Sequence, residues 1–377
     1  MPQNYLGIII MRKPVDMTKF ASSVTKKLNV SYGFNDPKIW VDTGNYMLNY
    51  LISGDFHKGI PLSKVSMFAG ASGSGKSLIV SGMLVKHAQD MGIIPVLFDS
   101  ENALDEDWLK NFGIDTSPEK ILRFQVSMIN DVGKIMSEFI KDYRANYSDL
   151  DPEERPCFLF VIDSLGMLLT DTDVDQFNKG DMKGDMGRKP KQLNALVRNL
   201  VNQIADLNIG VVCTNHTYAS QDMFDPDDKI SGGNGFIFAS SIVVASQKLK
   251  LKEDDEGNKT SDVHGIKSAI KIMKSRYGRA YETCKIHIRF DSGLDRYSGL
   301  FEYIEQLGVI ERQGNKYKYV DKEGVEHSEF RKNFGPELLE KIVDEWDYDK
   351  YKLLSNKVSL EEEREMLGLK TEEKKDD

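Results

Sequence analysis

A chain of 377 residues, 40% apolar and 29% charged, carries enough apolar material for one large domain with appendages or for two domains. No apolar run approaches the roughly 20 residues that span a bilayer, and the longest near the N-terminus, YLGIII, is too short for a signal-peptide core. The formal net charge of -9 argues against a uniformly cationic nucleic-acid binder, and Cys157, Cys213 and Cys284, few and set in apolar runs, exclude a disulfide framework or zinc-ligand spacing.

Charge is distributed unevenly. Residues 1–30 hold five Lys or Arg and one acid. Residues 267–289 hold seven basic residues against Glu282, and the last 17 residues hold eight acids against four bases. A basic segment is by itself no more than a solvated face, so its partner stays open at this point.

In chain order, residues 1–38 begin with a short strand at residues 6–10. A helix-like stretch, VDMTKFASSVTKKLN, follows, and the segment ends at the break Asp36-Pro37. Residues 39–295 form the body. Its apolar runs VSMFAG, IIPVLFDS, CFLFVIDS, IGVVCTN, SIVVAS, AIKIMK and CKIHIRF are short, apolar on both faces and separated by crossover-length segments. That pattern predicts an α/β fold with a mainly parallel sheet covered by helices, the later, closely spaced runs being antiparallel additions at one edge. Residues 296–355 predict a small α+β domain: a helix, a turn and a hairpin over YSGLFEYIEQLGVIERQGNKYKYV, then a helix over ELLEKIVDEW. Residues 356–377 read as an acidic, mobile tail.

The first chemical signal is GASGSGKS, residues 70–77, set between an apolar strand and the helical LIVSGMLVKHA. Gly70, Gly73 and Gly75 allow a tight turn whose N–H groups face phosphate oxygens, and Ala71, Ser72, Ser74 and Leu78 complete the phosphate-binding set. The positive end of a helix starting near Lys76 points at the same charge. In this pattern Lys76 reaches the β- and γ-phosphates of ATP and the Ser77 hydroxyl holds Mg2+. CFLFVIDS delivers Asp163 at a strand end, where it either binds the metal through water or caps the next turn; the phosphate loop favours the metal. IIPVLFDSENALD ends another strand in Asp99, Ser100 and Glu101. Hydrolysis needs a group that orients or deprotonates water, and on residue type both Asp99 and Glu101 qualify.

Taken together, these residues resemble the RecA family of DNA recombinases, most closely its phage UvsX branch, over about residues 41–319. The segments VDTGNYMLNYLISGDFHKGIPLSKVSMFAGASGSGKS, FDSENALDEDW, VIDSLGML, TNHTY with ISGGNGFIFASS, IKIMKSRYG and FDSGLDRYSGL carry the likeness in order. The resemblance implies a RecA-type P-loop ATPase core. It assigns the catalytic carboxylate to Glu101 rather than Asp99. It also implies Trp108 as an adenine-stacking ring with Asp105 nearby, although a helix-face core position suits Trp108 equally. His216 takes the position of a γ-phosphate sensor, where bacterial RecA carries Gln; an imidazole, which can accept or donate one hydrogen bond, can do this work. Lys274 and Arg276 take positions that reach the γ-phosphate of a neighbouring subunit, so that hydrolysis requires assembly.

FNKGDMKGDMGRKPK sets Gly180, Gly184 and Gly187 among basic residues and leads into a helix whose apolar face includes Leu193, Leu196, Val197 and Leu200. Lys191, Asn194 and Arg198 recur on a different face. The family's DNA-binding positions match Met186, Lys191, Asn194, Arg198, Gly232 and Gly233, with Arg188 in the basic run beside them. The second loop, ASQDMFDPDDK, is the harder case. Asp222, Asp225, Asp227 and Asp228 repel phosphate, and Met223 or Phe224 can wedge between bases or pack on the base of the loop.

The resemblance thus implies an ATP- and Mg2+-dependent protein that forms a helical homo-oligomeric filament on single-stranded DNA. The filament tests double-stranded DNA for homology and exchanges strands, and DNA stimulates hydrolysis at subunit interfaces. Residues 1–38 are expected to dock on the next subunit, and the tail to compete with duplex DNA for the basic segment. A single-strand-binding protein and a loading mediator are further candidate partners; no membrane is expected, and the expected location is cytoplasmic, the bacterial host's if the gene is viral. Two alternatives share the core: a ring-forming replicative helicase, which needs a linker helix and a collar not seen in the first 38 residues, and an ATP-switched DNA-binding regulator, which has no use for Glu101.

Overall fold

The computed structural model describes residues 16–28, 35–180, 187–218, 229–253 and 260–348. The chain divides into two compact units, Met1–Asp36 and Pro37–Asp377. In the first, helix α1 (Met17–Leu28) begins at Asp16. One carboxylate oxygen of Asp16 accepts from the N–H groups of Thr18 and Lys19 at 3.1 and 3.2 Å, satisfying donors that the first helical turn leaves unpaired. The strand expected at residues 6–10 and the acidic tail lie outside the described residues.

The second unit opens with a ribbon, β1 (Trp40–Val41) against β2 (Ile60–Pro61), enclosing α2 (Tyr46–Ser53). The Asn45 side chain caps α2 by accepting from Leu48 N at 2.8 Å. There follow β3 (Val65–Gly70), a wide-turned helical segment Leu78–Met83 running into α3 (Leu84–Asp90), β4 (Ile94–Asp99), α4 (Glu106–Asn111), β5 (Leu122–Gln125), α5 (Ile129–Tyr147) and β6 (Phe158–Asp163). After α6 (Asp171–Asn178) and α7 (Arg188–Gln203) come β7 (Ile209–Tyr218), β8 (Lys229–Ile230), α8 (Asn234–Ala239), β9 (Ile242–Leu251), β10 (Gly265–Ser275), β11 (Thr283–Arg289) and β12 (Gly293–Leu294). The last elements are α9 (Leu300–Gln306), β13 (Ile310–Gln313), β14 (Lys316–Val320), β15 (Glu326–Phe330) and α10 (Pro336–Asp344).

The main sheet runs β12-β11-β10-β9-β3-β7-β6-β4-β5. From β9 to β5 every pairing is parallel, and from β9 to β12 every pairing is antiparallel. The run SIVVAS forms β9, parallel to β3 and antiparallel to β10, and the antiparallel additions lie beyond it. Strands β3, β4, β6 and β7 are buried along nearly their whole length, which is why they read as continuous apolar runs. Their C-terminal ends lie at one edge: Gly70 is level with His216, and Asp99 with Asp163. Parallel order alone thus gathers the chemistry-bearing residues, because loops leaving the carboxyl ends of neighbouring strands share one crevice.

Two cores flank the sheet. One packs α5, α7 and α8 through Val132, Met136, Ile140, Leu193, Val197 and Phe236. The other packs α2, α3, α4, α9 and α10, and it is continuous into the C-terminal residues: Ile304, Leu339, Ile342 and Trp346 share it with Tyr50 and Phe56. The rings of Phe56 and Trp346 meet edge to face at 4.9 Å. The expected C-terminal helix, hairpin and helix are present, and a third strand, β15, extends the hairpin.

Candidate nucleotide and DNA site

The phosphate loop is built from its strand outward. Gly70 ends β3 hard against β9, where a side chain would meet Ser246 Oγ at 2.3 Å, so close strand approach demands glycine. Gly73 and Gly75 have φ of +71° and +96°, the left-handed region that lets the chain double back. Hydroxyls fix the loop from below: Ser74 and Ser246 Oγ atoms lie 2.8 Å apart, and Ser268 Oγ on β10 donates to Ser74 O at 2.9 Å. The helix begins at Lys76 and Ser77, as expected, with its N–H groups facing the loop. Lys76 Nζ donates to Gly70 O at 2.9 Å and Ala71 O at 2.8 Å. Burial draws this ammonium below its ordinary pKa, and Asp163 and Glu101 partly offset the effect.

Asp163 is 4% exposed. It accepts from Ser81 Oγ at 2.7 Å and from the Thr214 hydroxyl, so a buried carboxylate is held in a fixed orientation at the strand end. Asp99 is fully buried and already committed. It pairs with Arg123 at 2.6 Å and accepts from Leu104 N at 3.2 Å, closing the turn over residues 100–104 and tying β5 to β4. Glu101 is different: its side chain is 31% exposed. Its Oε1 accepts from Ser164 Oγ at 2.7 Å, and His216 Nε2 lies 3.1 Å from the same atom. Ser164 follows Asp163 through a cis peptide, and its backbone is bracketed by the Ser100 hydroxyl, which accepts from Ser164 N and donates to Ser164 O.

Ser77, Asp99, Glu101, Trp108 and Asp163 are among the residues that line one cavity of about 200 Å³. Asp105 does not line it; its carboxylate caps α4 by accepting from Trp108 N at 2.6 Å. Trp108 is half-buried, packs edge-on against Phe112 and borders the core as well as the cavity. The donor set fits a magnesium nucleotide: a buried, hydroxyl-oriented carboxylate, a serine hydroxyl, an ammonium and a glycine turn. No cluster of three or more His, Cys, Asp or Glu suited to a metal occurs among the described residues, so phosphate oxygens and water would complete such a coordination shell. A larger cavity, about 650 Å³, lies over β9–β11 and includes Lys267, Lys285 and His287 but none of residues 70–77. Lys267 there is held by Glu253 at 2.9 Å.

Lys274 and Arg276 stand at the far end of the sheet. Lys274 is level with Val243 and Ser275 with Ile242, whereas the phosphate loop leaves β3 level with Ser246. Lys274 Nζ donates to Ile237 O and Phe238 O, in the last turn of α8, at 3.3 and 2.6 Å. Burial and the neighbouring Arg276 hold its pKa below the ordinary lysine value.

The expected DNA-binding positions divide into two sets. Lys191 and Arg198 are exposed on α7, Asn194 is half-buried, and Arg188 opens the helix. The glycines of the second loop pack on this helix: side chains added at Gly232, Gly233 and Gly235 would meet Leu193, Pro190 and Asn194 at 2.9, 3.2 and 2.4 Å. Met186, Met223, Phe224 and the aspartates of the second loop lie outside the described residues. Ser81, Ser164, Thr214, Ser246 and Ser268 were not singled out from sequence. Each acts through a partner more than 50 residues away in sequence, and such adjacency is invisible to local pattern.

Comparison with known proteins follows the same lines. A sequence model described as the RecA N-terminal domain matches residues 40–295. A recombination and repair protein of Enterobacteria phage T4 is 27% identical over 307 residues, covering 80% of this chain and 73% of that protein. Protein RecA of Thermotoga maritima is 25% identical over 271 residues, covering 72% and 70% respectively. Protein RecA of Mycoplasma mycoides is 25% identical over 263 residues, covering 69% of each.

Proposed function

This chain belongs to the RecA family, and we propose that ATP bound at residues 70–77 drives homologous strand exchange on DNA. It is a recombinase and a DNA-dependent ATPase that binds nucleotide and DNA and assembles with copies of itself. The single observation that carries the site assignment is the cavity shared by Ser77, Asp163, Glu101 and Trp108. Lys76 and the loop N–H groups hold the β- and γ-phosphates, Trp108 stacks on the base from a helix that Asp105 caps, and Ser77 with Asp163 would hold Mg2+. A bound Mg2+ supplies neutralising charge at the phosphate oxygens. Glu101 orients and deprotonates the attacking water, and His216 reads the γ-phosphate. Lys274 and Arg276 of an adjacent copy supply cation in trans, which makes turnover conditional on assembly.

The proposed assembly is a helical filament on single-stranded DNA, gripped by Met186, Arg188, Lys191, Asn194, Arg198, Phe224, Gly232 and Gly233, with double-stranded DNA as the second partner. Residues 1–38 are the proposed assembly arm, 39–295 the ATPase and DNA-binding core, 296–355 the small α+β domain and 356–377 the acidic tail. A single-strand-binding protein and a loading mediator are proposed auxiliaries, and the proposed site of action is a bacterial cytoplasm. Neither a ring helicase nor an ATP-switched regulator is favoured by the relatives' names. The test is ATP hydrolysis with and without single-stranded DNA, electron microscopy of the same mixture, and a joint-molecule assay with homologous duplex. Stimulated turnover, filaments and joint molecules are expected; hydrolysis indifferent to DNA would refute the reading.

A further inference from the structure

The turn after Ser164 carries a contact that the hydrolytic assignment does not use. Leu165–Met167 forms one short helical turn. On one side it packs against the sensor: a methyl on Gly166 would lie 2.9 Å from His216 Cδ2 and 3.2 Å from Asn215 Oδ1, so the Gly166 backbone lies against the imidazole. On the other side the Gly166 carbonyl accepts from Lys189 Nζ at 2.6 Å. Lys189 is the second residue of α7, two positions after Gly187, where the glycine-rich segment ends. A second bond, Arg188 Nη1 to Thr172 Oγ1 at 2.5 Å, fastens the same end of α7 to α6. The ring on which the turn packs, and the hydroxyl that precedes the turn, both address one oxygen, Glu101 Oε1.

We propose that Lys189 is a positioning residue that couples the first DNA-binding segment to the hydrolytic site by holding the Gly166 carbonyl while DNA is absent. A charge-assisted bond to a carbonyl is stronger than a neutral one. It seats the turn against His216 and so keeps Ser164 and His216 on Glu101. A DNA phosphate arriving at the start of α7 competes for the same ammonium. Once Lys189 turns to the phosphate, the turn is released and Glu101 is freed to address water. The two ligation states of one ammonium supply the differential contact that such a coupling requires.

The proposal rests on the DNA-dependent ATPase reading and is tested beside it. Lys189→Met, which keeps the stem and removes the charge, is expected to raise DNA-independent hydrolysis about tenfold. The rate at saturating single-stranded DNA should change by less than about twofold, so the stimulation ratio collapses. Lys189→Arg should restore at least about half of the ratio. Oligonucleotide affinity, read by fluorescence anisotropy, separates coupling from simple phosphate contact. A Lys189→Met protein with wild-type basal rate and ratio, whether or not its DNA affinity falls, would overturn the proposal, as would one in which both rates fall together. Wild-type protein without DNA stimulation would sink the functional reading itself, a result distinguishable from either.

Discussion

Glu101 Oε1 has the Ser164 hydroxyl at 2.7 Å and His216 Nε2 at 3.1 Å, while Asp99, two residues earlier, is fully buried, paired with Arg123 and engaged by the turn that it closes. Glutamine at 101 keeps an acceptor for both donors but cannot take a proton from water. Glu101→Gln is therefore expected to bind nucleotide normally, by titration with a fluorescent analogue, while turnover falls by about 10²–10⁴. Turnover within twofold of wild type would remove Glu101 from the chemistry. The opposite signature is expected of the Asp99 pair. Arg123→Ala leaves a buried carboxylate with only its backbone donors, and because Arg123 is 41% exposed, water replaces part of what is lost. A loss of about 1–3 kcal/mol in urea unfolding is expected; an unchanged midpoint would mean that the pair contributes nothing. Residue type alone left Asp99 and Glu101 equal. What separates them is Arg123, on the adjacent strand and 24 residues away, and no local pattern announces that partner.

Elements were legible where burial is two-sided. Strands β3, β4, β6 and β7 are apolar because both faces are covered, so composition reports their position in the sheet. The edge strand β5 and the small-sheet strand β15 were not anticipated. Both alternate exposed and half-buried residues, and charge on their outer faces hides the pattern. β15 is instead held by a turn: Asp321 Oδ1 accepts from Val325 N at 2.8 Å and Glu323 N at 3.1 Å, and Oδ2 meets His327 Nε2 at 2.9 Å and Lys341 Nζ at 2.6 Å. The His327 hydrogen bond, then Lys341, hold the Asp321 carboxyl below the usual carboxylate range. Its pKa is depressed in the folded chain and about 3.9 in the unfolded one. The associated stability is therefore present above about pH 4 and lost as pH falls toward the folded value. Asp321→Asn retains a turn acceptor without the charge. The gap in urea midpoint between wild type and variant is expected to narrow as pH falls between about 5 and 3. A gap that stays level across that interval would show that ionisation of Asp321 does not support this sheet.

At the scale of the whole molecule, charge is polarised and the residues proposed for hydrolysis are split between two ends of one sheet. Lys274 is level with Val243, three residues of strand below the level at which the phosphate loop leaves β3. At about 3.3 Å per residue that is roughly 10 Å of strand before the loop itself begins, more than a lysine side chain spans. Within its own chain Lys274 instead caps α8. A cation useless to its own nucleotide and sited on the opposite end of the parallel strands suits a head-to-tail assembly, in which each copy completes the site of the next. The family resemblance suggested both the cation and its action on a neighbour; the strand register that keeps Lys274 away from its own phosphate loop was not legible in sequence. The trans assignment has a quantitative consequence. Glu101→Gln and Lys274→Ala proteins should each be inactive alone, the first lacking the water-directing carboxylate and the second the cation offered to a neighbour. In an equal, randomly mixed filament, half of the copies bring an intact Glu101 and the other half an intact Lys274. Half of the junctions then join one of each, only half of those in the productive order, and the mixture should recover about a quarter of wild-type DNA-stimulated hydrolysis. If both groups served the same copy, every copy in the mixture would lack one of them, and the mixed rate would stay at the sum of the two inactive parents.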